Sequence, residues 1–71
     1  MERFGEKLRI LRERRGLSVR QLASLLGINS HSHIINLEAG RKKPSVDLIL
    51  KVSELFDVSP NQLMLDDQEV D

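Results

Sequence analysis

Apolar residues recur along this chain at intervals of three and four, with no strand-like alternation, so the pattern predicts helices from end to end. Phe4, Leu8 and Leu11 mark the inner face of a first helix over about residues 3–14, closed by Gly16. Leu22, Leu25 and Leu26 mark a second over about 19–26, opened by the capping box Ser18 and Gln21 and stopped by Gly27. A third starts after Asn29 or Ser30, both good N-cap residues, and runs through Ile34 and Leu37 to Gly40, which can take the left-handed conformation. Pro44 keeps this helix from continuing, and Ser45 caps a fourth whose stripe is Leu48, Ile49, Val52, Leu55 and Phe56. Ser59-Pro60-Asn61-Gln62 is a further capping box with proline at the first helical position, opening a short fifth helix to about Leu65.

The expected fold is therefore all-α: a compact five-helix domain over residues 1–65, in which helices 2 and 3 form a helix-turn-helix. Ala23 is small enough for helix 3 to cross helix 2 closely. Residues 66–71, DDQEVD, have almost no apolar content and are expected to be a disordered acidic tail. Internal repeats and low-complexity linkers are absent.

Two short helices joined by a glycine turn, as in SVRQLASLLGINSHSHIINL from Ser18 to Leu37, can place one helix in the major groove of DNA. Net charge is zero, which alone argues against a polyanionic partner, but its distribution changes the picture. All eleven Lys and Arg lie in residues 1–51 against five acids, a balance of +6, whereas residues 52–71 hold six acids and no base. One end is suited to phosphate and the other to facing away from it. With 71 residues and no cysteine, the chain excludes disulfides, thiolate zinc sites and thiol nucleophiles. No apolar run approaches a membrane span, and the amino terminus lacks a signal-peptide core, so a cytoplasmic, bacterial or phage setting is expected.

Arg12 falls on the face of helix 1 that carries Phe4 and Leu8, and Glu38 borders the buried stripe of helix 3. Two opposite charges directed at one small core are expected to pair. His31 and His33 point in separate directions on a helix, and no cysteine or nearby carboxylate completes a tetrahedral set, so no metal site is expected. The chain offers no nucleophile–base pair or pocket, and neither an enzyme, a cofactor nor a small-molecule ligand is implied.

The ordered set Arg12, Gly16-Leu17-Ser18, Ala23, Gly27, Glu38, Gly40 and Pro44-Ser45 resembles the phage repressor and Cro proteins, the xenobiotic-response-element family, over residues 3 to 65. The resemblance implies the Arg12–Glu38 bridge and a double-stranded DNA partner. His31, Ser32, Ile35 and Asn36 would then contact base edges. Asn is suited to adenine, His to guanine, and Ile35 to a thymine methyl. Arg20 and Gln21 at the start of helix 2 and the loop Arg41, Lys42 and Lys43 would contact phosphate. Helix 3 has no Arg or Lys, the usual guanine readers. Val19 stands where many members have a polar glutamine. The segment from Ala23 to Ile34 is one residue longer than the family pattern, the extra residue falling either in the turn or at the start of helix 3.

Helix 5 is too short to bury Val58, Leu63, Met64 and Leu65 within one chain, which predicts a two-fold homodimer through them. The leading expectation is a homodimeric, sequence-specific transcriptional regulator, a repressor acting by occupancy. The alternative is an antitoxin- or adaptor-type protein-interaction module on the same helical fold.

Overall fold

Capping and apolar periodicity place the elements of the computed structural model, which describes residues 1–70. Five helices form: α1 (Phe4–Arg14), α2 (Val19–Leu25), α3 (His31–Glu38), α4 (Val46–Phe56) and α5 (Pro60–Met64), with no strand among the described residues. Ser18 and Ser59 each accept from the backbone N–H three residues on, and the Gln21 and Gln62 side chains return the bond to the cap residue. Ser45 caps α4 through the N–H of Leu48. Ser30 is the cap residue of α3 without a side-chain bond.

The core is one cluster: Phe4, Leu8 and Leu11 of α1, Leu22, Ala23 and Leu26 at α2, Ile34 and Leu37 of α3, Leu48, Ile49, Val52 and Phe56 of α4, and Leu63 of α5. Helix α1 packs on α3 and α5, α2 on α3, and α4 on α5. Gly5 sets the α1–α3 approach. A β-carbon there would stand 2.2 Å from the Leu37 carbonyl oxygen and 2.8 Å from that of Glu38, so only glycine lets the two backbones meet. Arg15, the C-cap residue of α1, lies over the Phe56 ring of α4 at 5.1 Å.

Three sequence expectations need correction. Leu25, expected on the inner face of α2, is 56% exposed, because a seven-residue helix turns Leu22 and Leu26 inward and leaves Leu25 outside that stripe. Leu63, expected at a dimer interface, is fully buried within its own chain, where the end of α5 closes the core over α1 and α4.

The third correction concerns the acidic tail, of which Asp71 lies outside the described residues. Residues 66–70 are docked against α1 and α5. The Asp66 carboxylate accepts from the N–H groups of Glu2 and Arg3 at 3.1 and 3.0 Å, satisfying donors at the start of α1. The Arg3 guanidinium reaches both Glu69 carboxylate oxygens at 2.8 and 2.9 Å, as well as Glu6 at 2.7 Å. Gln62 donates to the Glu69 carbonyl, and Val70 is buried in the core. Donors placed opposite the acids, together with one apolar anchor, outweigh the polar composition. The bonds from Arg3 and Glu2 hold the Asp66 carboxyl below its ordinary range, and Arg3 does the same for Glu69.

Nothing in the sequence singles out Lys7. Its side chain is fully buried, and Nζ donates to the carbonyls of Gln62 at 2.7 Å and Leu65 at 2.6 Å, the carbonyl end of α5.

Candidate nucleic-acid interface

The turn between α2 and α3 decides where α3 points. Gly27 takes φ +71, its N–H bonds the Ser24 carbonyl, and the Ile28 N–H bonds that of Ala23, the double bond of a Schellman cap. Ile28 packs back against the core while Asn29 and Ser30 remain exposed, and α3 begins at His31. Ile34 and Leu37 enter the core completely, and His31 and Ser32 hold the first two helical positions.

Across α3 from Ile34 and Leu37 lies an uncovered face. His31 and Ser32 are exposed, Ile35 is 43% exposed, and Asn36 is half-buried. His31 borders an open groove of about 410 Å³ between α2 and α3, together with Arg20, Ser24 and Asn29. His33 lies on another side, beside Leu26, Ile28 and Leu48 near the start of α4. Among the described residues no group of three or more His, Cys, Asp or Glu is gathered for a metal.

Cations border this face at Arg20, across the groove from His31, and at Arg41, on Asn36. Arg20 is exposed on the first turn of α2. Gln21 beside it is exposed, but its side-chain oxygen is engaged by the Ser18 N–H at 2.7 Å, leaving its amide N–H groups free to donate. Beyond α3, Gly40 takes φ +76 and a second Schellman cap forms, the Gly40 N–H bonding the Leu37 carbonyl and the Arg41 N–H that of Asn36 at 2.9 Å. This reversal leads into the exposed run Arg41, Lys42 and Lys43 and brings the Arg41 Nε to 3.0 Å from Asn36 Oδ1.

Underneath, α3 is braced by an ion pair. Arg12 Nε and Nη2 donate to the two Glu38 oxygens at 2.7 and 3.0 Å, and Arg12 Nη1 donates to the Leu17 carbonyl at 2.9 Å. The two side chains keep 14% and 10% of their exposure, and the Glu38 bonds raise the Arg12 pKa. Arg12 thereby ties the end of α1, the loop entering α2 and the end of α3 together.

The residues expected at a dimer interface separate. Leu63 is core, Val58 and Met64 are half-buried against it, and Leu65 is 44% exposed. No helix of the described residues is long and apolar enough to cross a membrane.

Known proteins are similar to this chain in sequence and, in one case, in structure. A stretch of 53 residues is 45% identical to the HTH-type protein TK0539 of Thermococcus kodakarensis, covering 75% of this chain and 16% of that protein. The HTH-type transcriptional repressor RghR of Bacillus subtilis is 42% identical over 66 residues, 90% of this chain and 47% of its own length. This chain thus spans from about a sixth to about half of these curated relatives. The restriction-modification controller protein C.AhdI of Aeromonas hydrophila superposes with a TM-score of 0.77 at 36% identity, covering 89% of this chain and 94% of its own. Residues 3–64 match the helix-turn-helix domain family, and with the α2–turn–α3 geometry described above the chain belongs to that family.

Proposed function

We propose that this protein is a sequence-specific double-stranded DNA-binding transcriptional regulator, acting in the cytoplasm as a homodimeric repressor by occupancy of a palindromic operator. The observation that carries the reading is the uncovered face of α3, exposed at His31, Ser32 and Ile35, with Arg20 across the α2–α3 groove from His31, Arg41 on Asn36, and Lys42 and Lys43 next in the same exposed loop. His31, Ser32, Ile35 and Asn36 contact base edges in the major groove, and Arg20, Gln21, Arg41, Lys42 and Lys43 hold the phosphates. The relatives support the regulatory assignment: one is named a transcriptional repressor and another a controller protein.

The dimer uses Val58, Met64 and Leu65, with half-sites about 34 Å apart. Residues 1–65 carry the DNA-binding unit, and residues 66–70 fasten α1 to α5. Selection of bound duplexes from a random pool, followed by gel shift and sedimentation of the complex, tests this. A repeated inverted motif bound by two chains is expected. Enrichment of no motif, with only weak and fully competable binding, points instead to a protein-interaction module, and a single chain on the selected duplex refutes the dimer.

A further inference from the structure

Arg41 stands among the exposed cations of the loop, yet its guanidinium is tied to one residue of the reading face. Its backbone N–H bonds the Asn36 carbonyl, a consequence of Gly40's left-handed turn, and its Nε donates to Asn36 Oδ1 at 3.0 Å. In a Schellman cap these two positions usually meet through an apolar contact; here the contact is a charge-assisted hydrogen bond. A guanidinium has donors and no acceptor, so the amide of Asn36 must turn its oxygen toward Arg41 and its NH₂ away from it. Asn36 lies one turn after Ser32, on the outward side of α3.

We propose that Arg41 is a positioning residue for sequence readout: it fixes the Asn36 amide in one orientation, so that Asn36 meets the major groove as a hydrogen-bond donor. The proposal rests on the DNA-binding reading above and deepens it. A donor suits the paired acceptors N7 and O6 of guanine and is mismatched to the exocyclic amine of cytosine. This gives α3, which contains no Arg or Lys, a guanine reader. It also revises the adenine preference expected from an unconstrained asparagine, whose oxygen and NH₂ would together meet N6 and N7.

The test measures binding of the full chain to its selected site and to every single-base variant of one half-site, over a range of salt. The variants are Asn36→Ala, Arg41→Lys, Arg41→Met and the double variant Arg41→Lys/Asn36→Ala. Wild type should prefer guanine at one position, a preference that Asn36→Ala lowers roughly 5- to 150-fold. Arg41→Lys should keep the salt slope, since it keeps the charge, and lose the preference at that same position; the double variant should lose no more than Asn36→Ala alone. In the DNA-free chain, Arg41→Met should move the Asn36 side-chain amide resonances, a readout independent of any DNA.

Arg41 variants that weaken all sequences alike while preserving the preference would overturn the proposal and leave Arg41 a phosphate contact only. An adenine preference at the Asn36 position, or unmoved amide resonances, would overturn it as well. Absence of any base preference in wild type would defeat the DNA reading and this proposal together, and the wild-type arm shows that before any variant is made.

Discussion

Arg12 and Lys7 both occupy the inward side of α1, and each is stabilised by a different kind of partner. Arg12 meets a carboxylate, and both charges are mostly removed from water. Alanine at Arg12 or Glu38 leaves the other charge without its counterion, and destabilisation of about 3 kcal/mol is expected, the low end for a broken buried pair because both side chains keep some exposure. Urea midpoints measure it, and unchanged midpoints in both variants would show that the pair contributes nothing. Lys7 meets two backbone carbonyls of α5 instead. Lys7→Met keeps the bulk and removes both bonds, and should lower stability by about 2 kcal/mol; a variant as stable as wild type would show the bonds to be energetically neutral. The Arg12–Glu38 pair is legible in the sequence because Arg12 falls on one apolar stripe and Glu38 borders another. The role of Lys7 is not, because carbonyls at a helix end leave no residue-type signature. Ile35 and Asn36 are legible as outward positions, but the bond that turns the Asn36 amide depends on a backbone reversal that brings Arg41 back over α3.

Among the elements, capping boxes and left-handed glycines place the helix ends within a residue or two of where periodicity puts them. Contacts between elements are less visible. Gly5 sits inside α1, where composition alone reads it as a weak helix residue, and it is instead the point where α1 and α3 touch. Gly5→Ala drives a methyl into the backbone of Leu37 and Glu38, neither of which can yield as a side chain would, so a drop of roughly 3 kcal/mol in chemical denaturation is expected. A neutral result would show that α1 can shift on α3 without penalty. The docking of residues 66–70 is likewise hidden, because Asp66 and Glu69 find their donors far away in sequence. Asp66 and Glu69 are held below the ordinary carboxylate range. Their contribution to stability is therefore fully present above the unfolded value of about 4 and is lost as pH falls through the lowered folded value. Asp66→Asn should make thermal stability fall less steeply on acidification over that window; an unchanged pH profile would mean that the cap on α1 does not contribute.

At the scale of the whole molecule, zero net charge conceals a division of labour. The exposed cations Arg20 and Arg41 border the outward face of α3 and Lys42 and Lys43 follow in the loop after it, while the carboxyl-terminal acids Asp66 and Glu69 are engaged at the start of α1. A face arranged in this way should separate residues that discriminate sequence from residues that only hold the phosphate backbone. The most direct measurement is a salt titration of wild type, Asn36→Ala and Lys43→Ala, each on the selected operator and on scrambled duplex. Asn36→Ala is expected to weaken operator binding by about 1 to 3 kcal/mol and binding to scrambled DNA far less. Lys43→Ala is expected to weaken both alike and to reduce the slope of log affinity against log salt by about 1 for each phosphate left without its cation. Equal weakening on both duplexes for Asn36→Ala, or an unchanged slope for Lys43→Ala, would contradict recognition of DNA through the outward face of α3.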